Sequence, residues 1–390
     1  MRYFPDMRTL RRTVAALSSL VLGLPLPLWD HPGYDAEDSH FNPHASVSDV
    51  AQLRQVWSAK LRQVDESCSG FSAPLVAADQ VFVTDTEGVS SYGLDSGDLR
   101  LRFTWDDALD NGTPRMAVAG DLLILANGGC NSQSDPDGQL TALDFYGRTR
   151  WKLRLDPPID TVVVDKGVVL VSGWSQSDAE TVAAYRVRDG HLIWTRENYA
   201  SSGVSADGLV PLQRTDGYGV PSGETTTVDI VTGKPRWTRP AAWQVEAASP
   251  TFGRFYATNR AGALAALNAA TGAVLWSTPG KATSLLATDG PRLYLASGPT
   301  LAAVNALTGR PVWSRRLPTP PTQPVLAASL VYTGAQVLTA TTGKPTGTTL
   351  PGAVVPAGSH LYQVNDARLT AYTSARDGHD SDQGVAARQE

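Results

Sequence analysis

The 390-residue sequence predicts an all-β fold, namely an eight-bladed β-propeller made of four-stranded antiparallel blades. Three observations lead to this prediction. A turn motif with a glycine and a following tryptophan recurs about every forty residues, and apolar residues alternate with polar ones between its copies. In addition, an N-terminal strand that has no blade of its own matches a C-terminal unit that lacks its last strand.

The repeated motif is clearest at residues 266–272, which read A-L-N-A-A-T-G, and at residues 303–309, which read A-V-N-A-L-T-G. In five copies a tryptophan follows the glycine by four positions: Gly147 with Trp151, Gly190 with Trp194, Gly233 with Trp237, Gly272 with Trp276, and Gly309 with Trp313. Weaker copies end at Gly97, where Phe103 or Trp105 replaces the tryptophan, and at Gly343, which no tryptophan follows. A repeat of this length indicates propeller blades.

Each strand of a unit follows from a local pattern. Alternating apolar residues, as at 81–83 and 168–171, predict a second strand that ends in a small or polar turn. The third strand runs into the motif, whose Asp or Asn bonds the backbone two residues on and whose glycine supplies a positive φ. The fourth strand carries the tryptophan, and the small alanine that begins the motif leaves room for the indole.

The two ends of the repeat array close the ring. Residues 53–61 form a fourth strand around Trp57 with no blade before it, and residues 352–372 supply three strands without a fourth. Pairing them removes an exposed sheet edge and gives eight blades between residues 50 and 373. Seven blades are the alternative, because the unit around Gly343 is thin.

Two segments precede the predicted propeller. Residues 1–28 place basic residues ahead of an apolar run, as in a signal peptide or membrane anchor, and this leader predicts an extracytoplasmic location, secreted or anchored. Residues 29–49 hold His31, His40 and His44 among acidic residues. Metal ligands must be fixed by a fold, so we interpret this stretch as a solvated polar linker and not as a metal site.

Composition excludes several classes of function. The net charge is −5 at pH 7, which excludes a broad basic surface for nucleic acid. No apolar run is long enough for a multi-span membrane protein, so the leader is the only part expected to contact a membrane. The polar residues 374–390 predict a flexible tail.

The two cysteines occupy related positions in neighbouring units. Cys68 precedes the first strand of the first unit, and Cys130 follows the second strand of the second unit. In a propeller these two positions lie on the same face of adjacent blades, which predicts a disulfide. Such a bond agrees with an exported protein, and two free thiols are the alternative.

The pattern A-x-(D/N)-x-x-T-G-x-x-x-W resembles the repeat of the pyrroloquinoline-quinone (PQQ) propellers, and the resemblance covers nearly everything after the linker. It implies the fold and two kinds of function. Quinoprotein alcohol dehydrogenases hold PQQ and calcium at the centre of one face, beside two adjacent cysteines. Non-catalytic members of the outer-membrane barrel-assembly lipoprotein type bind proteins. Here the cysteines lie 62 positions apart and the units are lean, so the second kind is the better match.

No catalytic, cofactor-binding or metal-binding residue can be assigned, because no nucleophile, zinc or phosphate-loop motif occurs. The leading hypothesis is an exported, non-catalytic scaffold that binds a protein or envelope component through one face, without PQQ or calcium. The alternatives are a PQQ-dependent alcohol or sugar dehydrogenase with a reduced pocket, and a carbohydrate-active enzyme with two carboxylates in the funnel.

Overall fold

The computed structural model describes residues 29–107, 110–130, 136–216, 220–249, 251–279 and 285–374. These residues form eight sheets and one short 3₁₀ turn, Val50–Gln52. Each sheet is a blade of four antiparallel strands, and one of them carries a short fifth strand. The prediction of an all-β, eight-bladed propeller is therefore confirmed, and the seven-bladed alternative is wrong.

Two strands precede the first blade: β1 (Phe41–Asn42) and β2 (Leu53–Lys60). Blades 1 and 2 consist of β3 (Leu75–Ala77), β4 (Gln80–Asp85), β5 (Gly88–Gly93), β6 (Leu99–Thr104), β7 (Arg115–Ala119), β8 (Leu122–Gly128), β9 (Gly138–Asp144) and β10 (Thr149–Leu155). Blades 3 and 4 consist of β11 (Thr161–Asp165), β12 (Val168–Gly173), β13 (Thr181–Arg186), β14 (Leu192–Glu197), β15 (Tyr199–Ser201), β16 (Leu209–Thr215), β17 (Pro221–Asp229) and β18 (Pro235–Arg239).

Blades 5 and 6 consist of β19 (Trp243–Ala248), β20 (Arg254–Asn259), β21 (Leu264–Asn268), β22 (Val274–Thr278), β23 (Leu286–Thr288), β24 (Arg292–Ser297), β25 (Thr300–Asn305) and β26 (Pro311–Arg316). Blades 7 and 8 consist of β27 (Val325–Ala327), β28 (Leu330–Thr333), β29 (Gln336–Thr339), β30 (Pro345–Thr349), β31 (Ala353–Ala357), β32 (His360–Asn365) and β33 (Arg368–Ser374). Strand β1 adds to blade 7 in parallel to β27, and β2 completes blade 8.

The order of strands within a blade follows their burial. First strands of neighbouring blades contact one another around the axis, as β7 and β11 do. Second strands such as β12 are buried along their whole length, because the blades stack face to face. Fourth strands such as β14 are largely exposed and form the outer rim. We call the face on which the first strands begin the upper face, and the opposite one the lower face.

The ring closes between the two ends of the chain. Strand β2 runs antiparallel to β33, with Lys60 opposite Arg368 and Trp57 opposite Ala371. The predicted closure by an N-terminal strand is confirmed. All eight sheets thus share one construction, and no innermost strand is left without a neighbouring blade.

The repeated tryptophan joins adjacent blades. Within its own blade Trp276 lies opposite Ala266, and its indole packs on Gly309 of the next blade. A Cβ at Gly309 would lie 2.7 Å from that indole, and φ there is +69°, so glycine is required twice over. Six indoles donate from Nε1 to a backbone carbonyl of the next blade at 2.7–3.1 Å: Trp57 to Leu94, Trp151 to Val187, Trp194 to Ile230, Trp237 to Ala269, Trp276 to Ala306, and Trp313 to Ala340.

Blade 1 has leucine at the tryptophan position. Leu101 of β6 lies opposite Ser91 of β5. It packs on Gly147 of blade 2, as an indole packs on the equivalent glycine elsewhere in the ring. The expectation that Phe103 or Trp105 replaces the tryptophan is wrong. Their rings pack on each other with centroids 5.2 Å apart, further along the chain. The strand register therefore determines which residue occupies the tryptophan position, whether or not that residue is aromatic.

The residues before β2 are packed into the propeller. Trp29 is 1% exposed, and Ser39, Asn42 and Val47 are fully buried. The expectation of a solvated linker over residues 29–49 is therefore wrong. The free backbone groups of the innermost strands face the axis, and this stretch supplies their partners.

The predicted leader, residues 1–28, lies outside the described residues. Of the predicted tail, Ser374 belongs to β33 and the remainder also lies outside them. Within the described part of the chain, no helix has the length and hydropathy needed to cross a membrane.

Candidate functional site

The axial segment, residues 29–47, meets all eight blades in order. It passes the eight blades in turn and makes a hydrogen bond of 2.7–2.9 Å at each, on the first strand in seven blades and in the turn after β15 in blade 4. The bonds are Trp29 N to Val76 O, Val118 N to Asp30 O, His31 Nε2 to Val164 O, Ser205 N to Ala36 O, Ala248 N to Glu37 O, Thr288 N to Ser39 O, Leu326 N to His40 O, and Asn42 Nδ2 to Pro356 O.

These bonds lie toward the lower ends of the first strands. Ala248 and Thr288 are the last residues of β19 and β23, and Ser46 continues onto the lower turn of blade 8 through Gly358. The axial segment therefore closes the lower part of the channel. The upper part is a funnel whose floor is this segment.

His31 is fixed at both ring nitrogens. Nδ1 lies 2.7 Å from a carboxylate oxygen of Asp30, and Nε2 lies 2.8 Å from the carbonyl oxygen of Val164. Burial opposes protonation of the ring, but Asp30 outweighs it, and the pKa of His31 is raised. Since both partners accept, the imidazolium is the form that satisfies both bonds.

Carboxyl groups of the segment and of blade 5 share the channel. Burial raises the pKa of Asp35 to about 7, and the charge of Glu37 adds to this shift. Burial raises the pKa of Glu246 on β19 to about 8, with the charge of Asp38 adding to it. Ser39 donates to Asp35 from its backbone and its hydroxyl, at 2.9 and 2.8 Å. The pKa values of Asp35 and Glu246 thus lie near neutral pH.

A second acidic pair lies at the upper side of blade 3. Burial raises the pKa of Glu180 to about 7, helped by Asp160, whose own pKa is raised by burial against the pull of Arg115. Trp174, 38% exposed, lies in the same loop. Glu180 itself is only 4% exposed, so its carboxyl group is not presented to a sugar in the funnel.

The upper opening also contains an apolar cavity of about 400 Å³ between blades 7, 8 and 1. Trp29 of the axial segment and Tyr332 of β28 contribute aromatic rings to its wall. Its aliphatic lining comes from Val325 of β27 and from Val354 and Val355 of β31. These residues give the cavity a mainly apolar wall.

The two cysteines lie apart from this cavity, and of the three histidines of the segment His40 contributes to its wall. Cys68 and Cys130 are bonded to each other, with Cα atoms 6.4 Å apart, and join blades 1 and 2 at the upper face. The three histidines of the segment do not converge: His31 bonds Asp30, His40 lies 3.5 Å from Asp38, and His44 is exposed. Among the described residues, no three His, Cys, Asp or Glu side chains are grouped to hold a metal ion.

Comparison with protein families decides the relationship. A family model described as outer membrane protein assembly factor BamB matches residues 89–249 and 222–356. The chain belongs to the BamB family. The resemblance to PQQ-like propellers of the BamB type is thereby confirmed.

One curated relative in the BamB family is outer membrane protein assembly factor BamB of Bordetella pertussis. It is 25% identical over 217 residues, which are 52% of this chain and 50% of the relative. The match thus spans about half the length of that protein. The name assembly factor belongs to that relative, and the match by itself does not assign its role to this chain.

Solved structures share the fold. BamB from Moraxella catarrhalis is 21% identical with a TM-score of 0.61, covering 83% of this chain and 98% of that one. Quinohemoprotein alcohol dehydrogenase from Comamonas testosteroni is 12% identical with a TM-score of 0.66, covering 89% and 80%. At these identities the likeness is one of fold, and it is as strong to an oxidoreductase as to an assembly factor.

Sequence reasoning missed the axial segment. Its contacts are made mostly by backbone atoms, which leave no residue pattern. The one available signal was the set of large apolar residues among the polar ones, Trp29, Tyr34 and Phe41, which are unusual in a solvated linker.

Proposed function

We propose that this member of the BamB family is an extracytoplasmic, non-catalytic scaffold that binds a protein partner of the cell envelope through one face. The observation that carries the proposal is the axial segment, which fills the lower channel and bonds all eight blades. In the quinoprotein class the centre of such a ring serves a cofactor. Here the centre is built from the chain itself.

The charge of the channel supports a role without PQQ. The quinone carries three carboxylates, and the channel holds two pairs of interacting carboxyl groups, Asp35 with Glu37 and Glu246 with Asp38. A trianion beside them meets like charges wherever these groups are ionised and no surplus of positive charge, which costs electrostatic energy at the low dielectric of a protein interior. These residues do not fit PQQ.

The relatives and the surface support a protein partner. The family description and the curated relative both carry the name of an assembly factor. Both faces of the ring present large exposed apolar side chains, Trp174 on the upper face and Phe252 in a lower turn of blade 5. Exposed aromatic side chains at loops are typical anchors of protein interfaces.

The cysteine pair supports the extracytoplasmic location. Disulfides persist in oxidising compartments and are rare where thiols are kept reduced. The bond between Cys68 and Cys130 is therefore expected in the native protein. Mass spectrometry of protein alkylated before reduction tests it: a fully alkylated pair would contradict the assigned compartment.

Photo-cross-linking in cells tests the partner. A photoreactive phenylalanine analogue is placed singly at Trp174, at Phe252, and at Val274 on the outer strand β22 as a control. We expect a discrete protein adduct from one face, and no adduct from the rim. The protein captured in the adduct is then purified, and we expect it to bind the full chain saturably. Its affinity should depend on the residues of the face that gave the adduct.

Two results would contradict the proposal. One is the absence of an adduct from both faces although the protein is exported and folded. The other is turnover of an alcohol or sugar by the purified full chain when PQQ and calcium are supplied, which would favour the dehydrogenase hypothesis.

A further inference from the structure

The apolar cavity at the upper opening is partly open to solvent, and its lining contains no Asp, Glu, Lys or Arg. Its volume of about 400 Å³ lies within the range of known small-molecule sites. The titratable residues in its wall are His40 and Tyr332. A charged ligand would therefore find no counter-charge, whereas a neutral apolar ligand loses little on entering.

The rim of the cavity is held by hydrogen bonds within the protein. Thr333 donates from its hydroxyl to the carbonyl of Thr322 at 2.8 Å, and Gly334 donates from its backbone to the Thr322 hydroxyl at 2.7 Å. Gln323 donates from Nε2 to the carbonyl of Leu286 at 2.5 Å, which ties the rim to blade 6. The cavity is thus formed before any ligand arrives, and little ordering is needed on binding.

Two aromatic residues of the wall have polar atoms without partners. Among the described residues, neither Nε1 of Trp29 nor the hydroxyl of Tyr332 has a hydrogen bond, and both atoms are shielded from solvent. Burial raises the pKa of the Tyr332 phenol, so the group stays protonated and remains a donor. An unsatisfied buried donor destabilises the protein, and a ligand with an acceptor can recover that cost.

We propose that this cavity is a binding site for a neutral, mainly aromatic small molecule that carries one hydrogen-bond acceptor. The rings of Trp29 and Tyr332 stack against the ligand, and a small shift of either ring brings its N–H or O–H to the acceptor. The valines of β27 and β31 contact the remainder of the ligand. This site is separate from the protein-binding role proposed above and does not depend on it.

Displacement of a fluorescent probe tests the site on the full chain. The probe is N-phenyl-1-naphthylamine, and the competitors are 2-acetylnaphthalene, which has a ketone, and 2-isopropenylnaphthalene, which has nearly the same shape without that acceptor. We expect one probe molecule per chain and a displacement constant about tenfold lower for the ketone, the ratio that one recovered hydrogen bond gives.

Variants connect the binding to the residues. Ala73→Trp places an indole at the exposed rim and should abolish probe binding, whereas Ala270→Trp, on a lower turn, should not. Tyr332→Phe removes only an unpartnered hydroxyl, so the variant should fold normally and reduce the preference for the ketone several-fold. Trp29→Phe should act in the same direction.

Three results would overturn the proposal. The first is the absence of saturable probe binding to the native chain. The second is binding that survives Ala73→Trp, which would place the probe elsewhere. Finally, equal displacement by the two naphthalenes would show that no acceptor is sought, and the cavity would then fit an apolar side chain of a protein instead.

Discussion

The indole of Trp276 illustrates how single residues hold the ring together. It lies opposite Ala266 in its own blade, while its Nε1 donates to Ala306 and its face covers Gly309 in the next blade. One side chain therefore couples two sheets by packing and by a directed bond. The glycine and the tryptophan of the repeat are partners across a blade boundary, although they are read along the sequence as parts of one motif.

Substitution of this tryptophan should cost stability in two steps. Trp276→Phe keeps most of the packing but loses the bond to Ala306, which is expected to cost about 1 kcal/mol. Trp276→Ala also loses the contact with Gly309 and should cost about 3 kcal/mol. Urea denaturation measures both, with Val274→Ala on the exposed side of β22 as the control. Equal losses for all three variants would contradict the role of the indole.

The glycine side of the contact can be tested with a matched pair of variants. Gly309 and Gly298 both have positive φ, +69° and +53°. A Cβ at Gly309 would meet the indole of Trp276, whereas at Gly298 nothing lies within 4 Å. Gly298→Ala should therefore cost only the backbone strain of about 1 kcal/mol, and Gly309→Ala should cost clearly more. Similar denaturation midpoints for the two would show that the close approach is not needed.

Most elements could be predicted from the sequence because their pattern repeats. Eight copies of one strand order average out the ambiguity of any single copy, and the unmatched β2 and β31–β33 define the closure. Leu101 was missed because leucine at one position does not stand out in an apolar strand. The axial segment was missed for another reason, since it occurs once and its bonds come from backbone atoms that any residue has.

Hydrogen exchange tests the axial segment directly. The amides of Ser205, Ala248 and Thr288 donate to carbonyls of the segment, although Ala248 and Thr288 end channel-facing strands and Ser205 lies in the turn after β15. Peptides that cover these residues should exchange slowly in the full chain, as slowly as the buried strand β12. Exchange as fast as that of the exposed outer strand β22 would contradict the bonds.

The buried carboxyl groups predict how stability depends on pH. In the folded chain Asp35 and Glu246 keep their protons up to about pH 7 and 8, whereas carboxyl groups of the unfolded chain ionise near pH 4. From pH 5 to pH 8 the folded state thus binds more protons than the unfolded state, and stability falls as the pH rises. The raised pKa of His31 acts in the same direction.

A neutral isostere separates this effect from general charge. Glu246→Gln should match the wild-type chain at pH 5 and exceed its unfolding free energy by about 1–2 kcal/mol at pH 8. Glu197→Gln, on the exposed strand β14, should change neither value. A variant that is less stable at pH 8 than the wild type would show that the Glu246 carboxylate is stabilised in the channel.

At the scale of the whole molecule, three devices close the ring. The pairing of β2 with β33 joins the chain ends, the tryptophans join neighbouring blades, and the axial segment contacts every blade. The first two leave clear traces in the sequence, and the third does not. The candidate site is built on the axial segment. The propeller fold could therefore be predicted from the sequence, whereas the residues that fill its axis could not.

The central claim is that the axis of this propeller is occupied by the chain itself and does not serve PQQ. Equilibrium dialysis of the purified full chain against PQQ and calcium tests it most directly, with a calcium-free cell as the control. We expect no saturable, calcium-dependent uptake of PQQ by the chain up to millimolar concentration. Uptake of one PQQ per chain at micromolar concentration would contradict it, because the quinone would then have to displace the axial segment or bind above it among the carboxyl groups.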